Sequence, residues 1–260
     1  MVKLAANLSM MFNEFEFLDR FTKASEFGFK GVEYLFPYDY DRDHLVNLLG
    51  ENELVQVLHN LPAGDWDSGE RGIACHPDRA GEFQESVGIA VDYASTLGCA
   101  QVNCLAGILP EGVDEIEAHG TFVDNLKYAA PICKNKGIKL IVESINTIDM
   151  PGFFLNNTEQ AKGILSDVGS KNLFLQYDIY HMQIMEGDLA RTIQSNLEVI
   201  SHMQLADNPG RHEPGTGEIN YDFLFQFIDE IGYPGWIGCE YIPTTTTLGG
   251  LSWIEPYIGS

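Results

Sequence analysis

The feature that most limits what this chain can fold into is an alternation. Short apolar runs are each followed by a longer stretch whose apolar residues recur at helical spacing. The runs fall at residues 3–7 ("KLAAN"), 31–36, 54–60, 100–107, 138–144 ("IKLIVES"), 173–178 ("LFLQYD"), 199–207 ("VISHMQLAD") and 235–241 ("GWIGCEY"). Between them, Asn13 and Glu16 suit a helix start, and Phe17, Phe21, Ala24 and Phe27 recur up to a stop at Gly28. Residues 41–51 read as a helix. Phe83, Val87, Ala90, Val91 and Ala94 mark a helix closed by Gly98, and Phe122, Leu126, Ala129, Ala130 and Cys133 mark one closed by Gly137. Further helices are expected near 158–167, 187–197 and 221–231. Strands separated by helices favour a parallel sheet. Eight such units in about 250 residues match a (β/α)8 barrel. The expectation is a single TIM-barrel domain over residues 1–260. An open doubly wound sheet is the alternative, but neither GxGxxG nor GxxxxGK[ST] follows any strand.

Charge restricts the partners. Asp and Glu number 38 against 15 Lys and Arg, for a net charge of −23. Nucleic acid and anionic membrane surfaces need a basic footprint that this chain lacks, so no nucleic acid and no membrane partner is expected. A small anionic substrate is not excluded, because one Arg or a divalent metal reverses the local sign. Five cysteines, odd in number and without a CxxC pair, read as free buried thiols of a reducing compartment. With no apolar leader in "MVKLAANLSMMFNEFEF", they point to a cytoplasmic protein. No stretch approaches the ~20 apolar residues of a spanning helix.

In such a barrel the active site lies at the C-terminal ends of the strands. Run five carries Glu143 next to its end, run six ends on Asp178, run seven carries Gln204 and run eight carries Glu240. Four consecutive strands thus deliver oxygen-bearing side chains to one rim. Converging carboxylates repel one another and resist burial as bare anions. A divalent cation resolves this, and all-oxygen ligation suits Mg2+ or Mn2+ better than Zn2+. The competing reading of each acid is an isolated, solvated or salt-bridged rim residue.

The chain resembles the hydroxypyruvate isomerases, within the xylose-isomerase-like TIM-barrel sugar isomerases and epimerases. The resemblance runs nearly the whole length. It is carried by "AANLSMMF" (5–12), "VEYLFPY" (32–38), "HNLPAGDWDSGERG" (59–72), "VESINT" (142–147), "YDIYHMQIMEGDL" (177–189), "HMQLADNPGRHEPGTGEINY" (202–221) and "GWIGCEY" (235–241). It implies that Glu143 and Glu240 are the proton donor and acceptor. It also implies that Glu143, Asp178, Gln204 and Glu240 ligate a divalent metal. The related ketose 3-epimerases usually carry histidine where Gln204 stands. The implied reaction is aldose–ketose isomerisation of hydroxypyruvate to 2-hydroxy-3-oxopropanoate, through a cis-enediolate, or of a close 2-oxo acid. The chemistry needs a base, an acid and electrostatic stabilisation of the enediolate, which two carboxylates and a metal supply. A hydride shift would use much the same residues.

Candidate substrate-binding residues surround this set. His181 lies three residues after Asp178, where the epimerases place a histidine on a substrate oxygen; a rim or cap histidine is the alternative. Arg211, in "GRHEPG", is a cation for a carboxylate substrate or a surface salt bridge. Arg71 and Glu70 lie in a long loop after run three that could close over the substrate. His59 ends run three and lines the site or packs beneath it. Glu33 and His202 read as barrel-interior groups, and Trp66 as pocket-shaping or core. Asp149 is left outside the site. A four-carbon 2-oxo acid isomerase, a ketose 3-epimerase and a non-catalytic sugar-acid binding protein are the competing functions. A metal-dependent endonuclease would need more histidines and a basic face. A homo-oligomer is left open, since the C-terminal "TTTTLGGLSWIEPYIG" can dock on the barrel or on a neighbour.

Overall fold

A computed structural model describes residues 1–258. The eight apolar runs form eight parallel strands: β1 (Lys3–Asn7), β2 (Gly31–Glu33), β3 (Val55–Asn60), β4 (Gln101–Cys104), β5 (Lys139–Glu143), β6 (Leu173–Asp178), β7 (Ile200–Leu205) and β8 (Trp236–Cys239). They pair in chain order, and β8 closes on β1. The helices are α1 (Arg20–Glu26), α2 (Arg42–Glu51), α3 (Ala80–Leu97), α4 (Glu115–Asn135), α5 (Thr158–Val168), α6 (Ile179–Met185), α7 (Leu189–Ser195), α8 (Tyr221–Glu230) and α9 (Thr247–Gly250). This is a (β/α)8 barrel.

Local chemistry explains the helix ends. Asp41, Asp114, Asn157 and Asn220 each accept a backbone N–H of the first turn with a side-chain oxygen. Gly98 and Gly169 follow α3 and α5 with φ of 66° and 65°, the left-handed turn that glycine adopts without strain. Two details depart from the sequence pattern. The first helical segment begins as a 3-10 turn at Phe17–Asp19, four residues beyond Asn13. The seven-residue α6, which the periodicity misses, starts directly after β6. Its cap is Asp178, whose Oδ1 accepts the N–H groups of Tyr180 and His181 at 2.8 and 3.2 Å.

The main core lies between the barrel and the helix ring, with Phe83, Phe122 and Phe225 almost wholly buried. Each such side chain contributes about 1.5–3 kcal/mol. A small apolar plug of Ala5, Val57, Leu58 and Ile141 fills the lower barrel. Above it the interior is polar, with Asn7, Glu33, Asn103, Gln176, His202 and Gln204 all buried. The register shifts twice, between β2 and β3 at Val32/Glu33 and between β6 and β7 at Leu175/Gln176. Each shift adds a residue to one strand and re-aims the side chains beyond it.

Candidate active site

Glu143 is the last residue of β5 and Asp178 the last of β6. Gln204 pairs with Asp178 on one side and Gly238 on the other, and Glu240 follows β8. Closure of the barrel brings these rims together. Single donor atoms of Glu143, Asp178, His181 and Glu240 all lie within 4.8 Å of one another, and all four residues are buried. Burial and the neighbouring Glu240 and Asp178 charges push the Glu143 carboxyl well above its ordinary range. Burial also raises Glu240, against the lowering effect of the Arg211 guanidinium. Three carboxylates crowded out of water are a donor set that fits a divalent cation.

His181 is oriented by its surroundings. Asn146 Oδ1 accepts the N–H groups of Ile148 and Asp149 at 3.0 and 2.8 Å, so its amide nitrogen must face the other way. That nitrogen stands 2.6 Å from His181 Nδ1 and donates to it. Nδ1 therefore carries no proton, and the neutral ring keeps its proton on Nε2, facing Asp178 at 3.6 Å. Burial lowers the His181 pKa to about 4, so the ring is neutral near pH 7. Nε2–H is then a donor to an oxygen and not a metal ligand. Asp149, left outside the site by the sequence reading, supports this group: it accepts from Asn146 Nδ2 and from the Tyr180 hydroxyl at 3.1 and 2.8 Å.

Arg211 reaches the same floor from the β7–α8 loop. It is bonded to Glu240 Oε2 and lies 3.9 Å from Asp178 Oδ2, over the Tyr180 ring. Its Nε is buried without a hydrogen-bond partner. Its φ of 57° is a left-handed conformation that a non-glycine residue adopts at a cost. A cavity of about 100 Å3 covers this floor. Glu143, Glu240, His181, Arg211 and Asn60 supply polar surface, and Met10, Leu35, Trp66, Leu105, Ile145 and Met150 supply apolar walls. A wider groove of about 680 Å3 between α5 and α7 holds no converging acid or histidine.

Other expected site residues stand apart. His59 points out of the barrel: its Nε2 faces Ala90 O on α3 at 3.3 Å and its Nδ1 faces Gln56. Asn60 lines the cavity in its place, because the β2–β3 register shift re-aims the strand end. Glu70 is bound to Arg79 and to the Asp65 N–H, so it braces its own loop. Arg71 stacks 4.2 Å from the Trp66 ring centroid and bonds to Trp66 O. That loop is fastened down, with Cys75 N–H on Ala106 O and Gly72 packed against the Leu105 carbonyl. It contributes the Trp66 wall. Gln204, as placed, turns its amide nitrogen to Glu33 at 2.7 Å and Glu240 at 3.3 Å, while its Oε1 accepts from Gln176. Sequence reasoning passed over Asn103, whose amide donates to Glu143 Oε2 at 2.8 Å. It also passed over Asn146 and Met10. Asn103 lies next to the end of β4 but in the middle of the longer run 100–107, so the rule applied to runs five to eight would have missed it.

Fold and site together define a xylose isomerase-like TIM barrel with a buried carboxylate centre. Residues 21–257 match the family model of that description. The chain is 53% identical to the hydroxypyruvate isomerase of Escherichia coli K12, over 99% of this chain and 100% of that one. It is 45% identical to a 2-oxo-tetronate isomerase of Cupriavidus necator over the full length of both. A crystal structure titled AP endonuclease, family 2, from Brucella melitensis superposes with a TM-score of 0.97 at 46% identity, covering both chains fully. The chain belongs to the hydroxypyruvate isomerase family of xylose isomerase-like barrels, and it is an aldose–ketose isomerase. Among the described residues, no helix is long and apolar enough to cross a membrane.

Proposed function

We propose that the chain interconverts hydroxypyruvate and 2-hydroxy-3-oxopropanoate with the help of Mg2+ or Mn2+. The observation that carries this reading is the placement of Glu143 and Glu240 within 4.8 Å of each other on the buried floor of one small cavity. Glu143, Asp178 and Glu240 would hold the metal. Gln204 would join the set by exchanging the Oε1 bond it accepts from Gln176 for the cation, with Nε2 kept on Glu33. A bound cation supplies electrostatic stabilisation for charge developing on the substrate oxygens.

The remaining work falls to side chains. Arg211 receives the substrate carboxylate, and its unpartnered Nε supports that role. One glutamate removes a proton from C3 of hydroxypyruvate, leaving a cis-enediolate across C2 and C3. The other returns a proton to carbon C2 while the C3 hydroxyl proton passes to the C2 oxygen, so that C3 becomes the aldehyde and C2 the alcohol. Their raised pKa values suit groups that both take and give protons. Neutral His181 donates Nε2–H to a substrate oxygen. Trp66, Met150 and Leu35 keep water from the enediolate.

A cavity of about 100 Å3 favours a three-carbon acid and is too small for a nucleotide. A four-carbon 2-oxo acid is the second reading, favoured by the similarity to 2-oxo-tetronate isomerase. Five free, buried cysteines support a cytoplasmic setting.

The test incubates hydroxypyruvate with protein and Mn2+ in D2O and follows it by NMR, with EDTA and Glu143→Gln controls. Aldehyde carrying deuterium at C2 is expected. Turnover without deuterium would replace proton transfer by a hydride shift or a shielded base. Turnover of only a four-carbon 2-oxo acid would overturn the substrate assignment.

A further inference from the structure

Below the floor lies a buried carboxylate that the reaction does not use. Glu33, at the end of β2, is 1% exposed. Its side chain crosses the barrel over Gly238 of β8, where even a methyl group would overlap its carboxylate. Oε2 meets His202 Nε2 at 2.7 Å. Oε1 accepts from the amides of Asn7 at 3.0 Å and Gln204 at 2.7 Å. The same two amides also donate to Glu240 Oε1, at 3.2 and 3.3 Å.

We infer that Glu33 is a positioning residue for Glu240, acting through the two amides they share. A carboxylate only accepts hydrogen bonds, so it dictates which end of each amide faces it. Both NH2 groups are thereby held between Glu33 and Glu240. The oxygens are engaged on the far side, Asn7 Oδ1 by Ser9 N–H and Gln204 Oε1 by Gln176. Glu240 is gripped on one oxygen by this pair and on the other by Arg211. With a glutamine at position 33, the site could donate as well as accept, and either amide could turn over without loss. Gly238 belongs to the device, because only a bare backbone lets the carboxylate pass. The inference rests on Glu240 being one of the two proton-transferring glutamates.

The test compares Glu33→Gln and Gly238→Ala with the wild type. Glu33→Gln conserves shape, and circular dichroism reports whether it folds. kcat is expected to fall roughly 10–100-fold, the range that small misplacement of a reacting group produces, with KM within about threefold. In the metal-free protein, the side-chain amide protons of Asn7 and Gln204 should exchange with solvent faster than in the wild type. If Glu33→Gln does not fold, Gly238→Ala displaces the same carboxylate with every polar group retained, and the same losses are expected. Unchanged amide exchange, or a kcat that falls only with the folded fraction, would overturn the inference. If the wild type turned over neither acid, the proposed function would fall, while the amide-exchange measurement would still decide the role of Glu33.

Discussion

Asp207 offers a direct test of how the barrel places Arg211. The residue is wholly buried, two residues beyond β7. Oδ1 accepts from Asn208 N and Ile219 N at 2.9 and 3.0 Å, and Oδ2 from Gly215 N and Gly217 N at 2.9 and 2.8 Å. These four bonds gather the loop that carries Arg211 in its left-handed conformation. Asp207→Asn keeps the size, leaves one acceptor oxygen and turns an NH2 group on the other pair of donors. Two charge-assisted bonds are lost, each worth about 1.5–3 kcal/mol. Gly215 and Gly217 are exposed and regain water, which favours the lower end of that range. The net loss should be about 3 kcal/mol, a large part of the 5–15 kcal/mol typical of a folded domain. With a urea m value near 3 kcal/mol/M, the midpoint drops by roughly 1 M. Arg211 is also freed to relax from its strained backbone. KM for hydroxypyruvate should then rise about tenfold, which corresponds to ~1.4 kcal/mol. Urea melts and steady-state kinetics read both. A midpoint shift under about 0.3 M, with KM unchanged, would refute the account.

Gln204→Leu should weaken Mn2+ binding about tenfold or more by titration calorimetry, with an unaltered circular dichroism spectrum; equal affinity would remove Gln204 from the ligand set. His59 is neutral and buried, with its pKa lowered to about 4 by burial. A histidine depressed in the folded state takes up its proton on unfolding, so stability is complete above pH 6.5 and is lost as pH falls from there toward 4. Between pH 7 and 5 this amounts to about 2 kcal/mol. Urea melts at the two pH values should show His59→Gln less pH-sensitive than the wild type; equal sensitivity would count against it. Trp66→Ala removes a wall of the cavity and the seat of Arg71. The kcat/KM ratio of four-carbon to three-carbon acid should rise roughly tenfold, the discrimination of about one methylene. An unchanged ratio would show that Trp66 does not limit substrate length.

The barrel was legible in the sequence because each element declares itself locally. Apolar runs of strand length recur eight times, with helical spacing between them and glycine stops at Gly28, Gly98 and Gly137. Glu143, Asp178, Gln204 and Glu240 were legible for the same reason, since a parallel barrel gathers its strand ends on one face. What stayed hidden was nonlocal. Whether His59 or Asn60 enters the cavity depends on an extra residue in β3 opposite β2, and strand parity inverts at such a shift. The short α6 has too few turns for periodicity to mark it, so His181 is set by the Asp178 cap. The proton on His181 is fixed by Asn146, and the amide of Gln204 by Glu33 from the far side of the barrel. The sequence by itself determined which strand ends bring Glu143, Asp178, Gln204 and Glu240 to one rim, because that follows from each strand's own end. Only the tertiary structure decided which way each polar group faces there. Buried donors and acceptors are oriented by their partners, and those partners come from strands and loops distant along the chain.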